Sequence, residues 1–495
     1  MPTVKTFNVT FDGVTSVPQP DSNVAEWFGG WMGLYNGWYA GPKDKLRATA
    51  DLTGSNWSIK VLRLASDDNK TVIRDLDNGA GRKIDFLELG WNSDVDLIST
   101  GVKYIFGWDG DKHEVTLGDQ QAGSTFSINL YALENIVTTG NAWVNAIQTG
   151  GTDTITIGTG GAGFIETGNG SATVTTIGDV ESIKTRDSDD VVNVGGGAVS
   201  VRTKGGDDVV NVTGTNDIDL IISGDGNDLI NTGDGGAGRI RADSGNDTVE
   251  GGTGYVTLIE TGSGDDLVRL GSGGTGFVRL GDGNDRVVLE ETNPDYGVVL
   301  QGGAGIDTLD FSRFGTGAVF SLDEGGAFQN PGAPGGDPNI PASGYFSETQ
   351  FENIIGTTST DKLTGDGVDN LLEGGGGNDT LVGLDGNDTL LGGWKKDKLV
   401  GGNGDDVVAG GQHNDLLIGG NGADVFEFGP NGGKDKVKDF EQGTDILRLD
   451  GHVGGFASLV ISDNGAHRMI DYDGGTILLA GHAGLVLGAG DFDFV

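Results

Sequence analysis

The sequence predicts an all-β chain: a parallel β-roll or β-solenoid made of two repeat arrays, with a β-rich N-terminal domain and a C-terminal cap. Three observations predict it. A nine-residue repeat runs unbroken through 356–427, a longer repeat of about 19 residues occupies 185–307, and 94 of the 495 residues are glycine. Fixed periods of this kind mark stacked repeat units, each too small to bury a core alone.

The nine-residue array is the clearer of the two. Its sixth position reads Asp361, Asn370, Asp379, Asp388, Asp397, Asp406, Asp415 and Asp424. Its eighth position is always apolar: Leu363, Leu372, Leu381, Leu390, Leu399, Val408, Leu417 and Phe426. Alternate blocks fall on opposite edges of a stack. Asp361, Asp379, Asp397 and Asp415 line one edge; Asp388, Asp406 and Asp424 line the other, with Asn370 the uncharged member.

The longer array carries an acidic turn once per coil, ending in Asp190, Asp208, Asp228, Asp247, Asp266 and Asp285, with Asp307 following at a wider spacing. Seven residues before the first six of these stand Ile183, Val201, Ile221, Ile240, Ile259 and Val278. Two residues after them stand Val192, Val210, Ile230, Val249, Val268 and Val287. Each coil therefore has two short strands with a branched residue pointing inward, which suits β structure. Glycines supply the positive φ angles of the corners. The opposite turns, Gly233–Gly238 and Gly271–Gly276, are glycine-rich without the recurring Asp, so one edge only is expected to be acidic here. Asp153 stands apart, and Ala172 replaces the aspartate of one coil.

The remaining segments follow from composition. Residues 1–148 hold seven of the eight tryptophans and read as a separate N-terminal domain. Its run from Trp27 to Tyr39 interleaves aromatics with glycine, as a packed core or a sugar-stacking surface would. Residues 149–312 are the first solenoid array. Residues 313–346 crowd four prolines among glycines and read as a loop or linker. Residues 347–427 form the nonapeptide roll, and 428–495 a C-terminal cap with strands near 437–440 and 445–449.

Charge and absent motifs exclude several functions. Acidic residues outnumber basic ones 73 to 31, a net charge of -42, which opposes nucleic-acid binding. No apolar run reaches the ~20 residues of a membrane-spanning helix, and the start shows no secretory signal. There is no cysteine, so neither disulfides nor thiolate metal sites are available. The five histidines form no His-Glu-x-x-His motif, and no Gly-x-Ser-x-Gly elbow occurs. Three Gly-x-Gly-x-x-Gly matches all fall on solenoid turns with no helix following, which argues against a dinucleotide site.

The acidic turns call for a cation. Aspartates one coil apart lie ~4.8 Å from each other. Their repulsion is roughly 1 kcal/mol per pair in water and ~3.5 kcal/mol at an effective dielectric of 20. Several such pairs would consume most of the roughly 5–15 kcal/mol that stabilises a domain. Carbonyl and carboxylate oxygens from two successive turns make a set of hard donors that suits Ca²⁺ at ~2.3–2.6 Å; Zn²⁺ would want His or Cys, and Mg²⁺ prefers to keep its waters.

The motif Gly-Gly-x-Gly-x-Asp-x-apolar-x, as in Gly374–Val382 and Gly383–Leu391, resembles the RTX (repeats-in-toxin, haemolysin-type) calcium-binding repeats. The likeness is close over 356–427 and looser over 185–307. It implies ions shared between one turn and the turn one coil later. Gly375, Gly377 and Asp379 would share an ion with Gly392, Trp394 and Asp397. Leu384, Gly386 and Asp388 would share one with Gly401, Asn403 and Asp406; Gly402, Gly404 and Asp406 would pair with Gly419, Asn421 and Asp424. Lys395 and His413 stand where the repeat has a glycine. The resemblance also implies type I secretion through an uncleaved C-terminal signal, folding on calcium after export, and an extracellular location. The acidic-then-apolar end, Asp491-Phe-Asp-Phe-Val495, is similar to the termini of such substrates.

The reading that follows is a secreted calcium-binding solenoid with a structural or adhesive role at a bacterial surface, as a surface-layer subunit, adhesin or matrix protein. Its expected partners are calcium, a surface glycan or lipopolysaccharide through the N-terminal domain, its own copies, and the type I secretion machinery. The alternative is a secreted polysaccharide-modifying enzyme that uses the repeats to fold. A purely intracellular acidic protein is a third reading.

Overall fold

A computed structural model describes residues 110–118, 127–141, 143–290, 298–323 and 350–495, with the backbone of shorter strands from Asn8–Val9 to Gly101–Gly107. Most of the aromatic run from Trp27 to Tyr39, and most of the proline-rich segment 313–346, lie outside the described residues.

The chain is a parallel β-solenoid in two compact units. The first comprises Met1–Gly245 with Gly252–Tyr255, the second Asn246–Gly251 with Val256–Val495. In the first unit two columns of strands stack in parallel register. One places Val174, Val192, Val210 and Ile230 in line; the other places Ile147, Ile165, Ile183, Val201, Ile221 and Ile240 in line. All ten side chains are buried. Parallel pairing also reaches into the N-terminal segment, where Ser58–Leu64 pairs Lys83–Leu89 and Lys83–Leu89 pairs Gly101–Gly107. Coil stacking is therefore not confined to the acidic arrays.

In the second unit a single apolar column runs Val249, Val268, Val287, Leu309, Ile354, Leu372, Leu390, Val408, Phe426 and Leu447. The long repeat and the nonapeptide repeat thus share one strand column, although their periods differ. The facing column carries Phe320, Leu363, Leu381, Leu399, Leu417, Val437 and Leu479. Each of these side chains is buried, whereas the residues flanking it along the strand are at least partly exposed, the period-two pattern of a sheet with one dry face.

Strands Gly433–Val437 and Ile446–Leu449 continue the two columns into the C-terminal segment. The stack ends with Phe492–Phe494 against Ile446–Leu449, and with an antiparallel hairpin, Val460–Asn464 and His467–Tyr472, folded onto Gly475–Leu479. Antiparallel pairing with a hairpin closes what would otherwise be an open edge.

The columns dictate what single substitutions do. Leu390→Ala removes a fully buried side chain between Leu372 and Val408 and is expected to cost about 2–5 kcal/mol. Lys398→Ala, on the exposed side of its strand, is expected to stay within about 0.5 kcal/mol. Urea unfolding of the calcium-saturated chain measures both.

Candidate metal centre

The acidic turns bring their aspartates to one repeated position, immediately before the strand that carries the column residue. The Asp side chains are nearly completely buried, from 0% exposure at Asp406 to 3% at Asp415. One carboxylate oxygen is always used in the same way. It accepts a hydrogen bond from the backbone N–H of the residue in the same register one coil earlier, an aspartate in most coils. Along one edge of the nonapeptide array Asp361 N–H donates to Asp379 Oδ1 (2.8 Å), Asp379 N–H to Asp397 (2.7 Å) and Asp397 N–H to Asp415 (2.9 Å). On the other edge Asn370 N–H donates to Asp388 (2.8 Å), Asp388 N–H to Asp406 (2.8 Å) and Asp406 N–H to Asp424 (3.0 Å). The longer array repeats the arrangement from Asp190 to Asp208 and from Asp208 to Asp228, then from Asp247 through Asp266 and Asp285 to Asp307.

The second oxygen has nothing to accept from. Oδ2 of Asp190, Asp208, Asp266, Asp285, Asp307, Asp379, Asp388, Asp397, Asp406 and Asp415 is buried without a hydrogen-bond partner. A buried, unsatisfied carboxylate oxygen is costly unless a cation meets it. The space beside it is shaped for one. The point a Cβ would occupy on Gly374 lies 2.7 Å from Asp379 Oδ2 and 2.7 Å from the carbonyl oxygen of Gly392, one coil on. The equivalent point on Gly392 lies 2.7 Å from Asp397 Oδ2 and 2.6 Å from the Gly410 carbonyl. Gly383 is enclosed likewise by Asp388 Oδ2 and the Gly401 carbonyl, and Gly401 by Asp406 Oδ2 and the Gly419 carbonyl. Only glycine leaves this room open, and the spacing is close to that of oxygen around Ca²⁺. Among the described residues no group of three or more His, Cys, Asp or Glu converges, so each site would be completed by backbone carbonyls.

Three of the predicted ligand pairs are therefore brought together: Asp379 with Gly392, Asp388 with Gly401, and Asp406 with Gly419. Positions two and four of the turns hold positive φ, as at Gly375, Gly377, Gly386, Gly402 and Gly404. Leu384, Lys395 and His413 adopt the same backbone region with φ of 92°, 81° and 91°, so the turn survives their side chains at a conformational cost. Gly402 and Gly420 stack coil on coil, as do Asn403 and Asn421, whose amides extend a side-chain ladder from Asp385. Trp394 presents its ring to solvent.

Two positions differ from the repeat. Asp361 has both oxygens filled, Oδ1 by the Ala318 N–H and Thr357 hydroxyl and Oδ2 by the Thr357 N–H at 2.7 Å. It closes its edge as a hydrogen-bonded cap, with the orphaned oxygens starting at Asp379. Asn370 does the same opposite, accepting from the Asp366 N–H and donating to the Glu352 carbonyl. Asp153 is likewise satisfied, by Asn135, Thr149 and the Gly168 N–H.

Sequence reasoning missed three members. Glu352 stands in the register between Asp307 and Asn370, accepts the Asp307 N–H at 2.8 Å and so ends the long-repeat ladder, its carbonyl accepting from the Asn370 side chain. Asp435 and Asp445 accept from Asp415 and Asp424 and extend both edges past residue 427. The signal that could have found them is Asp-x-apolar, kept in Asp435–Val437 and Asp445–Leu447 at spacings of 20 and 21 rather than 18.

The RTX calcium-binding nonapeptide repeat matches residues 232–254, 241–275, 355–390 and 391–426. The chain carries RTX calcium-binding repeats. The matched stretches include Asp247, Asp266, Asp379, Asp388, Asp397, Asp406, Asp415 and Asp424, and the ladder geometry reaches beyond them to Asp190 and Asp445. No match is found among curated proteins. Among solved structures, the extracellular lipase LipA of Serratia marcescens is similar at 18% identity over 51% of this chain, with a TM-score of 0.22. This chain spans 40% of that lipase. A subunit of the mannuronan C5-epimerase of Azotobacter vinelandii is similar at 27% identity over 27% of this chain and 78% of its own, with a TM-score of 0.20.

Burial holds the ladder carboxyls well above the ordinary 3.8, helped at most of them by nearby carboxylates. Asp208, Asp307, Asp379 and Asp424 are pushed up to about 7, Asp388, Asp397, Asp406 and Asp415 to about 6, and Asp435 to about 8. An acid whose pKa is raised on folding binds more protons folded than unfolded, so its burden on stability is full above the folded pKa and relieved as pH falls toward 3.8. The ion-free chain, unfolded at pH 8, is therefore expected to recover β structure as pH falls toward 5, read by circular dichroism without calcium. A divalent ion needs the ionised carboxylate, so calcium added at pH 6 should release protons, several per chain, readable by calorimetry in buffers of different ionisation enthalpy.

Proposed function

We propose that this RTX protein is secreted and folds on calcium outside the cell, where it serves as a structural or adhesive component of a bacterial surface. The observation that carries the calcium step is the row of buried carboxylate oxygens that no protein group satisfies. At low cytosolic calcium those carboxylates repel one another and the repeats stay open, a state suited to export through a type I channel. At the millimolar calcium of an extracellular medium the ions are bound, since extracellular modules work at ~10⁻⁴–10⁻³ M. RTX repeat proteins are typically secreted, and among the described residues no helix is long and apolar enough to cross a membrane.

The surface role is supported by the architecture. A repeat solenoid offers long lateral faces for extended contacts, and its acidic edges allow calcium to bridge to anionic surface polymers. Type I export, self-assembly and the division of the chain into anchoring, solenoid and capping segments belong to the same proposal.

Two measurements test it. Far-ultraviolet circular dichroism is expected to show β structure in 5 mM calcium and its loss in excess EGTA; an unchanged spectrum rules out calcium-driven folding. On intact cells the protein is expected on the outer surface and to be released by EGTA; recovery solely from the cytosol rules out the surface role.

A further inference from the structure

The first unit contains a feature that the calcium ladder does not use. The coil turn Thr167-Gly-Asn-Gly-Ser-Ala172 occupies the place of the acidic turns Thr185–Asp190 and Thr203–Asp208, yet it has no carboxylate. Ala172 stands in the Asp register, its N–H donating to Asp190 Oδ1. Beside this neutral turn lies an open groove of about 410 Å³, lined among others by Tyr131, Gln148, Glu166, Thr167, Asn169 and Arg186. Its size is that of a small-ligand site.

The lining has a definite chemistry. Tyr131 is 44% exposed and is held by the ring of Phe106 at 5.9 Å, with its edge over Gly150. Across the groove Gln148, Glu166, Lys184 and Arg202 form one outward-facing column on four successive coils. Glu166 receives Arg186 Nη2 at 2.7 Å, and Lys184 Nζ lies 3.6 Å from the same oxygen. One carboxylate thus has two cations within 4 Å, in a chain whose net charge is -42. The two nearest cations and Gln148 pull the Glu166 carboxyl below its ordinary value.

We propose that this groove binds a segment of an acidic polysaccharide. The Tyr131 face stacks on the C–H side of a sugar ring. Gln148 and Asn169 meet ring hydroxyls, and Arg186, with Lys184 on the same coil sharing Glu166, takes the anionic group, a guanidinium fork having donors beyond the one given to Glu166. The missing carboxylates of the turn are part of the device, because an acidic turn there would repel the ligand and recruit a cation instead. The open side of the groove lets a chain continue past it along the coils. The proposal extends the adhesive reading to a ligand, but its geometry does not involve the calcium ladder.

The test is calorimetry on the full chain in saturating calcium, with a uronate hexasaccharide, a sulfated hexasaccharide and a neutral hexasaccharide. At least one acidic ligand is expected to bind, with the neutral one about tenfold weaker or worse, and the two acidic arms identify the anionic group. Tyr131→Ala and Arg186→Gln are each expected to weaken binding about tenfold. Circular dichroism of each variant in calcium separates a folding failure from a loss of ligand. Should Arg186→Gln disturb the fold, Asn169→Ala on the exposed turn replaces it, with a severalfold loss expected. Equal binding of neutral and acidic ligands, no binding by a folded parent chain, or parental affinity in the folded variants overturns the proposal; binding that survives in the variants but tracks calcium would be ion bridging at the acidic edges.

Discussion

One interaction organises the acidic edges: a carboxylate that spends one oxygen on the preceding coil and keeps the other for a cation. The Oδ1 bond to the previous aspartate's N–H fixes the side chain, so that Oδ2 points into the turn beside a glycine that leaves room for an ion. Neither half works alone. Without the backbone bond the carboxylate would swing to solvent, and without the cation its second oxygen would be buried and unsatisfied. Because each aspartate is both donor and acceptor, the bonds form a continuous ladder rather than a set of separate sites. Occupation at one step therefore bears on the geometry of the next.

The rest of the fold depends on that ladder through the arithmetic of a narrow solenoid. In the nonapeptide array each strand buries one side chain, such as Leu390 or Leu399, beside a buried glycine. With no cysteine in the chain, and no layer of helices among the described residues, the turns have to contribute to stability. Repulsion between neighbouring carboxylates would oppose stacking along the whole edge, whereas shared ions reverse the sign at each step. The capping devices fit this picture. Asp361 and Asn370 use hydrogen bonds from Thr357, Ala318 and Asp366 where an array begins, and the hairpin folded on Gly475–Leu479 closes one end.

Much of this was legible in the sequence because the signals are strictly periodic. The apolar residue two places after each Asp predicts the core column and holds from Val192 to Phe426; the glycines before the Asp predict the turn from Asp208 onward, with Gly356 alone before Asp361. The parts that were not legible have physical reasons. Glu352 follows a long insertion, so no fixed spacing connects it to Asp307. Asp435 and Asp445 sit in coils lengthened by two and three residues, which breaks the nine-residue phase while the strand register is preserved. Asp153 and Asp361 have the residue type of a ligand, but their neighbours Asn135, Thr149 and Thr357 supply hydrogen bonds that remove the need for an ion. The Tyr131 groove has no sequence signature at all, because it depends on side chains from successive coils converging by stacking.

The measurement that tests the central claim most directly is an anomalous-difference map from crystals grown in calcium, collected at a long wavelength. Peaks are expected between Oδ2 of Asp379, Asp388, Asp397 and Asp406 and the carbonyl oxygens of Gly392, Gly401, Gly410 and Gly419, with none at Asp153 or at the Thr357-capped oxygens of Asp361. Ordered water in place of calcium at those Oδ2 atoms, in a well-folded chain, would contradict the account.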